Sequence, residues 1–286
     1  MDVRTIFLIS RPWLWLIPLF GFLGGLAYRF DALLFDTAFF WVLIFLQGFS
    51  LTFPFGFAGY GLNNYFDRES DKFNFRKKYL RNIDWGFVYG FSVFNALFMI
   101  FSGLLFGLFF GIWLNLLFMV LLVFLGWSYS SFKFRLKEVP VVSGFCNYYF
   151  YVLGPLFLSL SLSGLDLSMT VWIQLVGVSF YGVAATILAN IVDYSDDLSA
   201  GFKTLPVRIG VNKAGLVSAF FGLLGFFLVF PETLLYRVLM LVASLLLFLP
   251  VFVRNKEGAA FFVSVGFAII YFIGCVHYVA FRLGLF

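Results

Sequence analysis

Long apolar runs recur from one end of this chain to the other, parted by short charged loops, and they constrain the fold more than any other feature. They fall at about 12–28, 38–62, 85–105, 108–130, 139–161, 169–192, 213–231, 234–253 and 258–281. Each is close to the length a helix needs to cross the hydrocarbon of a bilayer. In hydrocarbon every backbone N–H and C=O must be satisfied within its own segment, which leaves helices as the natural solution. Charged residues make up 12% of the chain and hydrophobic ones 63%, whereas soluble domains carry about 25% charged residues. The expected fold is therefore all-α: a polytopic membrane protein of nine transmembrane helices around a central cavity. Two four-helix-like halves would form one domain over residues 1–286. The uncharged stretch 85–132 is too long for one crossing and must turn between Gly103 and Gly111. The run from Pro12 has no polar cleavage region after it, so it reads as a span and not as a removable leader.

Loop charges test the count of nine. With the N-terminus in the cytoplasm, sixteen of the lysines and arginines fall on the cytoplasmic side. Only Arg29, Arg237 and Arg282 fall on the other. That is a strong positive-inside bias, and an odd count of helices then places the C-terminus outside. The net charge of +5 is better explained by this topology than by binding to nucleic acid. Cys146, Cys275 and the single histidine, His277, all sit in apolar runs. They form none of the clusters that zinc requires.

Against this background "GLNNYFDRESDKFN" (61–74) stands out. Asn63, Asp67 and Asp71 follow one another at i, i+4 and i+8, which places an amide and two carboxylates on one helix face. A second cluster, "DYSDDLSAGFKTLPVRIG" (193–210), follows the sixth run and offers Asp193 and Asp197 at i, i+4. Both clusters end a helix on the cytoplasmic side, where they are expected to face one another across a shared cavity. Carboxylates at a membrane's edge are costly and usually functional. An oxygen-only donor set suits a hard cation such as magnesium, which binds through a few carboxylates together with substrate phosphates. Basic residues nearby would complete a diphosphate clamp: Lys77, Lys78, Lys133, Arg135, Lys137 and Lys203. The plain alternative is that these are solvated loop charges that only set topology. That fits many of them singly but not the two paired Asp-x-x-x-Asp arrangements. A magnesium-bound allylic diphosphate would lose its leaving group readily. The resulting cation would need a dry, aromatic-lined pocket, in a chain with 45 phenylalanines and 14 tyrosines. Most of those rings are read as packing and lipid contact. A reading from another class is a cation-coupled transporter, which would place its acids near mid-membrane and break its helices there.

With both motifs in view, the chain resembles the UbiA superfamily of intramembrane prenyltransferases over nearly its full length. The family's N-D-x-x-D-x-x-x-D reads here from Asn63 to Asp71. Its D-x-x-x-D followed by G-x-K/R-T reads Asp193 to Asp197 and then Gly201 to Thr204. The resemblance implies magnesium held by Asn63, Asp67 and Asp71 on one side and by Asp193 and Asp197 on the other. It also implies an allylic prenyl diphosphate gripped by Arg11 of "SRPWLWL", by Lys77 or Lys78, by Lys133 or Lys137 of "YSSFKFRLK", and by Lys203. Tyr129 and Asn64 would border a hydrophobic acceptor. Beyond these two substrates and the membrane lipids, no nucleic acid and no obligate protein partner is implied. The chain departs from the family pattern at Asn64, where an aspartate is usual, and both prolines of Y-S-x-P-P are missing. The segments "SRPWLWL", "GYGLNNYFDRESDKFN" and "YSSFKFRLK" resemble the lycopene elongase branch, whereas "KTLPVRIG" leans toward digeranylgeranylglyceryl phosphate synthases and chlorophyll-type synthases. A quinone precursor as acceptor also stays open.

Overall fold

The computed structural model describes residues 2–28, 33–71, 79–80, 83–131, 133–139, 141–164, 167–199, 201–229 and 234–282. Among them every regular element is helical. The chain opens with a short helix, α1 (Val3–Ser10), whose N-cap Asp2 accepts a hydrogen bond from the Thr5 amide at 2.6 Å. The hydrogen bonds from Thr5 hold the Asp2 carboxyl below its usual range. Pro12–Leu14 forms one 3₁₀ turn before α2 (Leu16–Tyr28). The second apolar run continues past its expected end at residue 62. It comprises α3 (Ala38–Ser50), α4 (Phe53–Gly56), a π-helical turn Phe57–Gly61 and α5 (Leu62–Asp71). The first motif therefore rides on a helix that is already anchored in the apolar core.

Next come α6 (Trp85–Phe110) and α7 (Trp113–Ser130). They turn at Gly111, whose φ of 71° lies in the left-handed region that a glycine enters without a Cβ clash. The fifth run is split by a second π turn, Tyr149–Leu153, between α8 (Val142–Tyr148) and α9 (Gly154–Ser161). The second motif follows α10 (Met169–Val192), on α11 (Tyr194–Ser199) and the loop leading to α12 (Leu205–Ile209). The remaining helices are α13 (Val211–Leu228), α14 (Leu234–Leu246), α15 (Leu249–Phe252) and α16 (Lys256–Arg282).

Five described segments are long and apolar enough to cross a membrane: Ala38–Glu69, Trp85–Phe110, Trp113–Ser130, Met169–Val192 and Val211–Leu228. Leu16–Tyr28 and Arg237–Phe252 are apolar but shorter. The protein is an integral membrane protein, and among the described residues five segments, against the nine expected, have the length and composition of a span.

The chain forms two compact units that interleave in sequence. One holds residues 1–135, 150–166 and 278–286, the other 136–149 and 167–277. Amides tie the first unit together. Gln47 Nε2 donates to Asn115 Oδ1 at 2.6 Å, and Asn115 Nδ2 donates to the Leu158 carbonyl at 2.9 Å and to Ser161 Oγ at 3.0 Å. The three helices α3, α7 and α9 are thereby cross-linked where no water competes. Small residues hold the second unit. In it α10 packs along α13: a methyl added at Gly177 would meet the Leu228 and Val229 side chains at 2.8 Å, and one at Gly225 the Tyr181 ring at 2.8 Å and the Gly177 carbonyl at 2.9 Å. Ser218 Oγ reaches the Ala184 carbonyl at 2.9 Å across that seam.

Candidate active site

In the first unit α5 carries the first motif. Asn63 is half-buried, and its Oδ1 accepts a hydrogen bond from Ser130 Oγ on α7 at 2.7 Å. An amide oxygen has two lone pairs, so this bond fixes the side chain while leaving capacity for a cation. Asp67, one turn on, is only 6% exposed. Asp71 closes the helix, and its side chain lies outside the described ones, as do Lys77 and Lys78 altogether. Asn64 is fully buried, and neither its Nδ2 nor its Oδ1 has a hydrogen-bond partner among the described residues. A carboxylate there would be a buried charge, so the neutral amide is the less costly occupant.

Arg11 sits between α1 and the 3₁₀ turn with φ 49°. Only Arg11, Arg135 and Val141 among the described non-glycine residues have a left-handed φ. Such a backbone costs roughly 1–2 kcal/mol, and it aims the guanidinium over the ring of Tyr60, 4.4 Å from the ring centre. The hydroxyl of Tyr60 is hydrogen-bonded to that of Tyr151, and Tyr129 stands in the last turn of α7. Tyr60 and Tyr151 each belong to one of the two π turns. Such turns inside helices are frequent at functional sites because the extra residue re-aims the side chains around it.

In the second unit the i, i+4 relation of Asp193 and Asp197 survives a break in the helix. Asp193 ends α10, and the Asp197 amide still donates to the Asp193 carbonyl at 2.8 Å. Asp193 is exposed and Asp197 half-buried. Thr204 Oγ1 donates to Asp197 Oδ2 at 2.9 Å, and the Phe202 amide donates to the Asp197 carbonyl at 2.9 Å, which curls the Gly201–Thr204 loop back onto the helix. Lys137 Nζ lies 4.3 Å from the centre of the Phe202 ring. Arg208 fastens the same region, donating from Nη2 to the Glu138 carbonyl at 3.1 Å and from Nε to the Lys203 carbonyl at 2.7 Å.

Lys133 and Lys137 are thus separated in environment. Lys133 is exposed, 5.8 Å from the Phe134 ring centre, whereas Lys137 is half-buried beside the second motif. Lys203 is exposed on the motif's own loop. The structure adds Ser130, Tyr60, Tyr151, Thr204 and Arg208 to the residues expected from sequence. Ser130 and Arg208 lie inside the quoted "YSSFKFRLK" and "TLPVRIG", but nothing in their spacing points to their partners. Among the described residues no three His, Cys, Asp or Glu side chains converge. The donors that do gather are hard oxygens: the Asn63 amide, braced by Ser130, with Asp67, and in the second unit Asp193 with Asp197. That donor chemistry fits magnesium and fits no soft metal.

Comparison with known proteins matches residues 19–280 to the UbiA prenyltransferase family. Lycopene elongase/hydratase of Corynebacterium glutamicum is 28% identical over 237 residues, covering 79% of this chain and 77% of that protein. Digeranylgeranylglyceryl phosphate synthase of Pyrococcus horikoshii is 30% identical over 170 residues, covering 58% of this chain and 57% of its own. A UbiA homologue from Archaeoglobus fulgidus, solved with GPP and Mg2+, superposes with a TM-score of 0.65 at 17% identity, covering 98% of this chain and 99% of that one. At that identity the likeness establishes the fold.

Proposed function

The chain belongs to the UbiA prenyltransferase family, and from that premise we propose that it transfers a prenyl group from an allylic diphosphate to a hydrocarbon acceptor inside the membrane, as in the elongation of a carotenoid. Membership makes it an enzyme acting on prenyl diphosphates; a carrier has no support among its relatives. One observation carries the choice of acceptor. No lysine, arginine, aspartate or glutamate occurs in 85–131 or in 139–165. A phosphate- or carboxylate-headed acceptor lying among those helices would need a buried partner for its charge. The relative covered over 77% of its length is a lycopene elongase/hydratase, which favours the same side.

The proposed roles follow the donor chemistry. Asn63, Asp67 and Asp71 hold one magnesium, and Asp193 and Asp197 hold the other. Magnesium, when bound, neutralises charge that builds on the departing diphosphate. Arg11, Lys77 or Lys78, Lys137 and Lys203 grip the same diphosphate from the protein's side, with Lys133 more peripheral. The donor's allylic C–O bond breaks and its electron pair leaves with the diphosphate. A double bond of the acceptor supplies the pair for the new C–C bond, and a proton leaves the acceptor carbon. Tyr129 and Asn64 border the acceptor, and the apolar surroundings keep water from the cation. The sixteen-to-three split of basic residues supports a site that opens to the cytoplasm, with the N-terminus on that side and the C-terminus outside. Cysteines placed at Ser70 and Ser199 would then both react with an impermeant reagent from the cytoplasmic face.

Expression in cells that make lycopene tests the reading. Carotenoids longer by one or two five-carbon units are expected, and none from the Asp67→Ala variant. If lycopene is untouched while the same membranes prenylate geranylgeranylglyceryl phosphate or a quinone precursor, the carotenoid acceptor is wrong.

A further inference from the structure

Arg11 and the first motif meet through Tyr60. Tyr60, Asn63 and Asp67 follow one another at i, i+3 and i+7, so a ring, an amide and a carboxylate share one helix face. Tyr60 lies three residues before Asn63, about 4.5 Å along the axis, and is only 7% exposed. Arg11, whose guanidinium lies over that ring, is half-buried.

Both sides of this contact are braced. On the arginine's side, Gly56, four residues before Tyr60, lets the end of α1 come close: a methyl group there would collide with the Ser10 carbonyl and the Trp15 indole. Trp15 Nε1 donates to that same carbonyl at 2.8 Å. Pro12 follows Arg11 and keeps it from continuing α1 as a right-handed helix. On the tyrosine's side, the Tyr60 hydroxyl is bonded to Tyr151. The Tyr151 ring stands at a steep angle to Phe150 and Phe55, with centres 5.3 Å and 5.9 Å away, and those two rings stack on each other at 4.2 Å. Phe150 in turn is held between Gly59 and Gly126, where an added methyl would meet its ring at 2.6 Å and 2.5 Å. Tyr60 is thus carried by one π turn and pinned at its hydroxyl by the other.

An apolar bundle packs without such an arrangement. Two phenylalanines would fill nearly the same volume with no hydroxyls to satisfy, and a left-handed arginine backbone costs stability. What the arrangement achieves is to immobilise a long side chain, whose rotamer freedom otherwise opposes binding. The ring's face attracts the cation's charge, and a guanidinium held by its charge can still turn planar N–H donors to phosphate oxygens. We infer that Tyr60, pinned by Tyr151, is the positioning residue for Arg11: it holds the guanidinium on the face that carries Asn63 and Asp67, oriented toward the diphosphate whose magnesium those residues bind. Tyr60 touches Arg11 and acts through it. This inference rests on the transferase reading above and adds to it the residue that orients the donor's head.

The test measures the affinity of the full chain, purified in detergent and checked as monodisperse, for two probes in the presence of magnesium: unreactive dimethylallyl S-thiolodiphosphate, and inorganic diphosphate as the head alone. Tyr60→Leu removes the ring and should weaken both by about ten-fold, the size of a desolvated cation–π contact. Tyr60→Phe and Tyr151→Phe keep the rings and release only the hydroxyl anchor, and each should weaken both by about three-fold. In an Arg11→Gln background the same three substitutions should change neither affinity, because a residue that acts through another has no effect once that other is gone. Losses of the parent's size on top of Arg11→Gln overturn the assignment, and so does parent-like binding by a folded Tyr60→Leu. Should Tyr60→Leu fail to fold, Tyr151→Phe decides in the same two backgrounds: it must weaken binding in the parent and not in Arg11→Gln. In each of these cases a parent that binds the probes, and loses them with Asp67→Ala, leaves the transferase reading intact. A folded parent that binds neither probe overturns both.

Discussion

The two motif-bearing ends differ in how their carboxylates are held. Asp67 sits on an unbroken helix, 6% exposed, behind an Asn63 that Ser130 fixes from a neighbouring helix. Asp193 is exposed at the end of α10, and the order around Asp197 comes from its own loop, through Thr204 and Phe202. One end is positioned by packing between helices distant in sequence, the other by hydrogen bonds within a dozen residues. Preorganised donors need supporting contacts that lock their rotamers, and the two ends obtain that support at different ranges. The same contrast runs through the two units: satisfied amides cross-link the first, and glycine, alanine and serine bring helices close in the second.

The comparison breaks most sharply under carboxylate removal. Asp67→Ala and Asp193→Ala are each expected to lower the transfer rate by about 10²–10³-fold. Only Asp67→Ala should also shift the thermal midpoint, because Asp193 is exposed. Full turnover by Asp193→Ala would show that the second end takes no part. Next in size is Asn115→Ala, which strands the buried Gln47 amide and takes one of two side-chain donors from the Leu158 carbonyl in the first unit. It should cost about 2 kcal/mol, read as a lowered unfolding midpoint in detergent. The basic residues sharpen the picture further. Lys137→Gln should raise KM for the allylic diphosphate by about ten-fold, the effect of losing roughly 1.4 kcal/mol, and Lys133→Gln should raise it far less. Equal effects would mean that the contact with Phe202 has nothing to do with the diphosphate. Smallest is Ser218→Ala, which removes one bond across the α10–α13 seam. Interhelical hydrogen bonds in membranes average about 0.6 kcal/mol, so a loss above about 2 kcal/mol would contradict a seam held chiefly by small-residue packing.

Much of this molecule follows from local sequence. Hydrocarbon forbids unsatisfied backbone, so apolar runs of sufficient length become helices whatever their neighbours. The i, i+4 repeat of Asn63, Asp67 and Asp71, and of Asp193 and Asp197, places side chains on one face by helix geometry alone. Those two rules carry the all-helical membrane fold and both motifs. They also carry the turn between α6 and α7, where Gly111 ends the stretch that sequence alone requires to bend.

Tertiary structure decided what depends on partners far along the chain. That Ser130 fixes Asn63 is a meeting of residues 67 apart. That Lys137 lies against the second motif depends on how the 136–138 turn folds onto the Gly201–Thr204 loop, whereas Lys133 and Lys137 satisfy the same sequence pattern. The left-handed backbone at Arg11 that aims its guanidinium over Tyr60, and the ring of Phe150 between two glycines, have no local signature. Periodicity states which face a residue occupies, but the side chain it meets there is set by the packing of whole helices. Packing selects among many apolar surfaces that composition alone leaves equivalent.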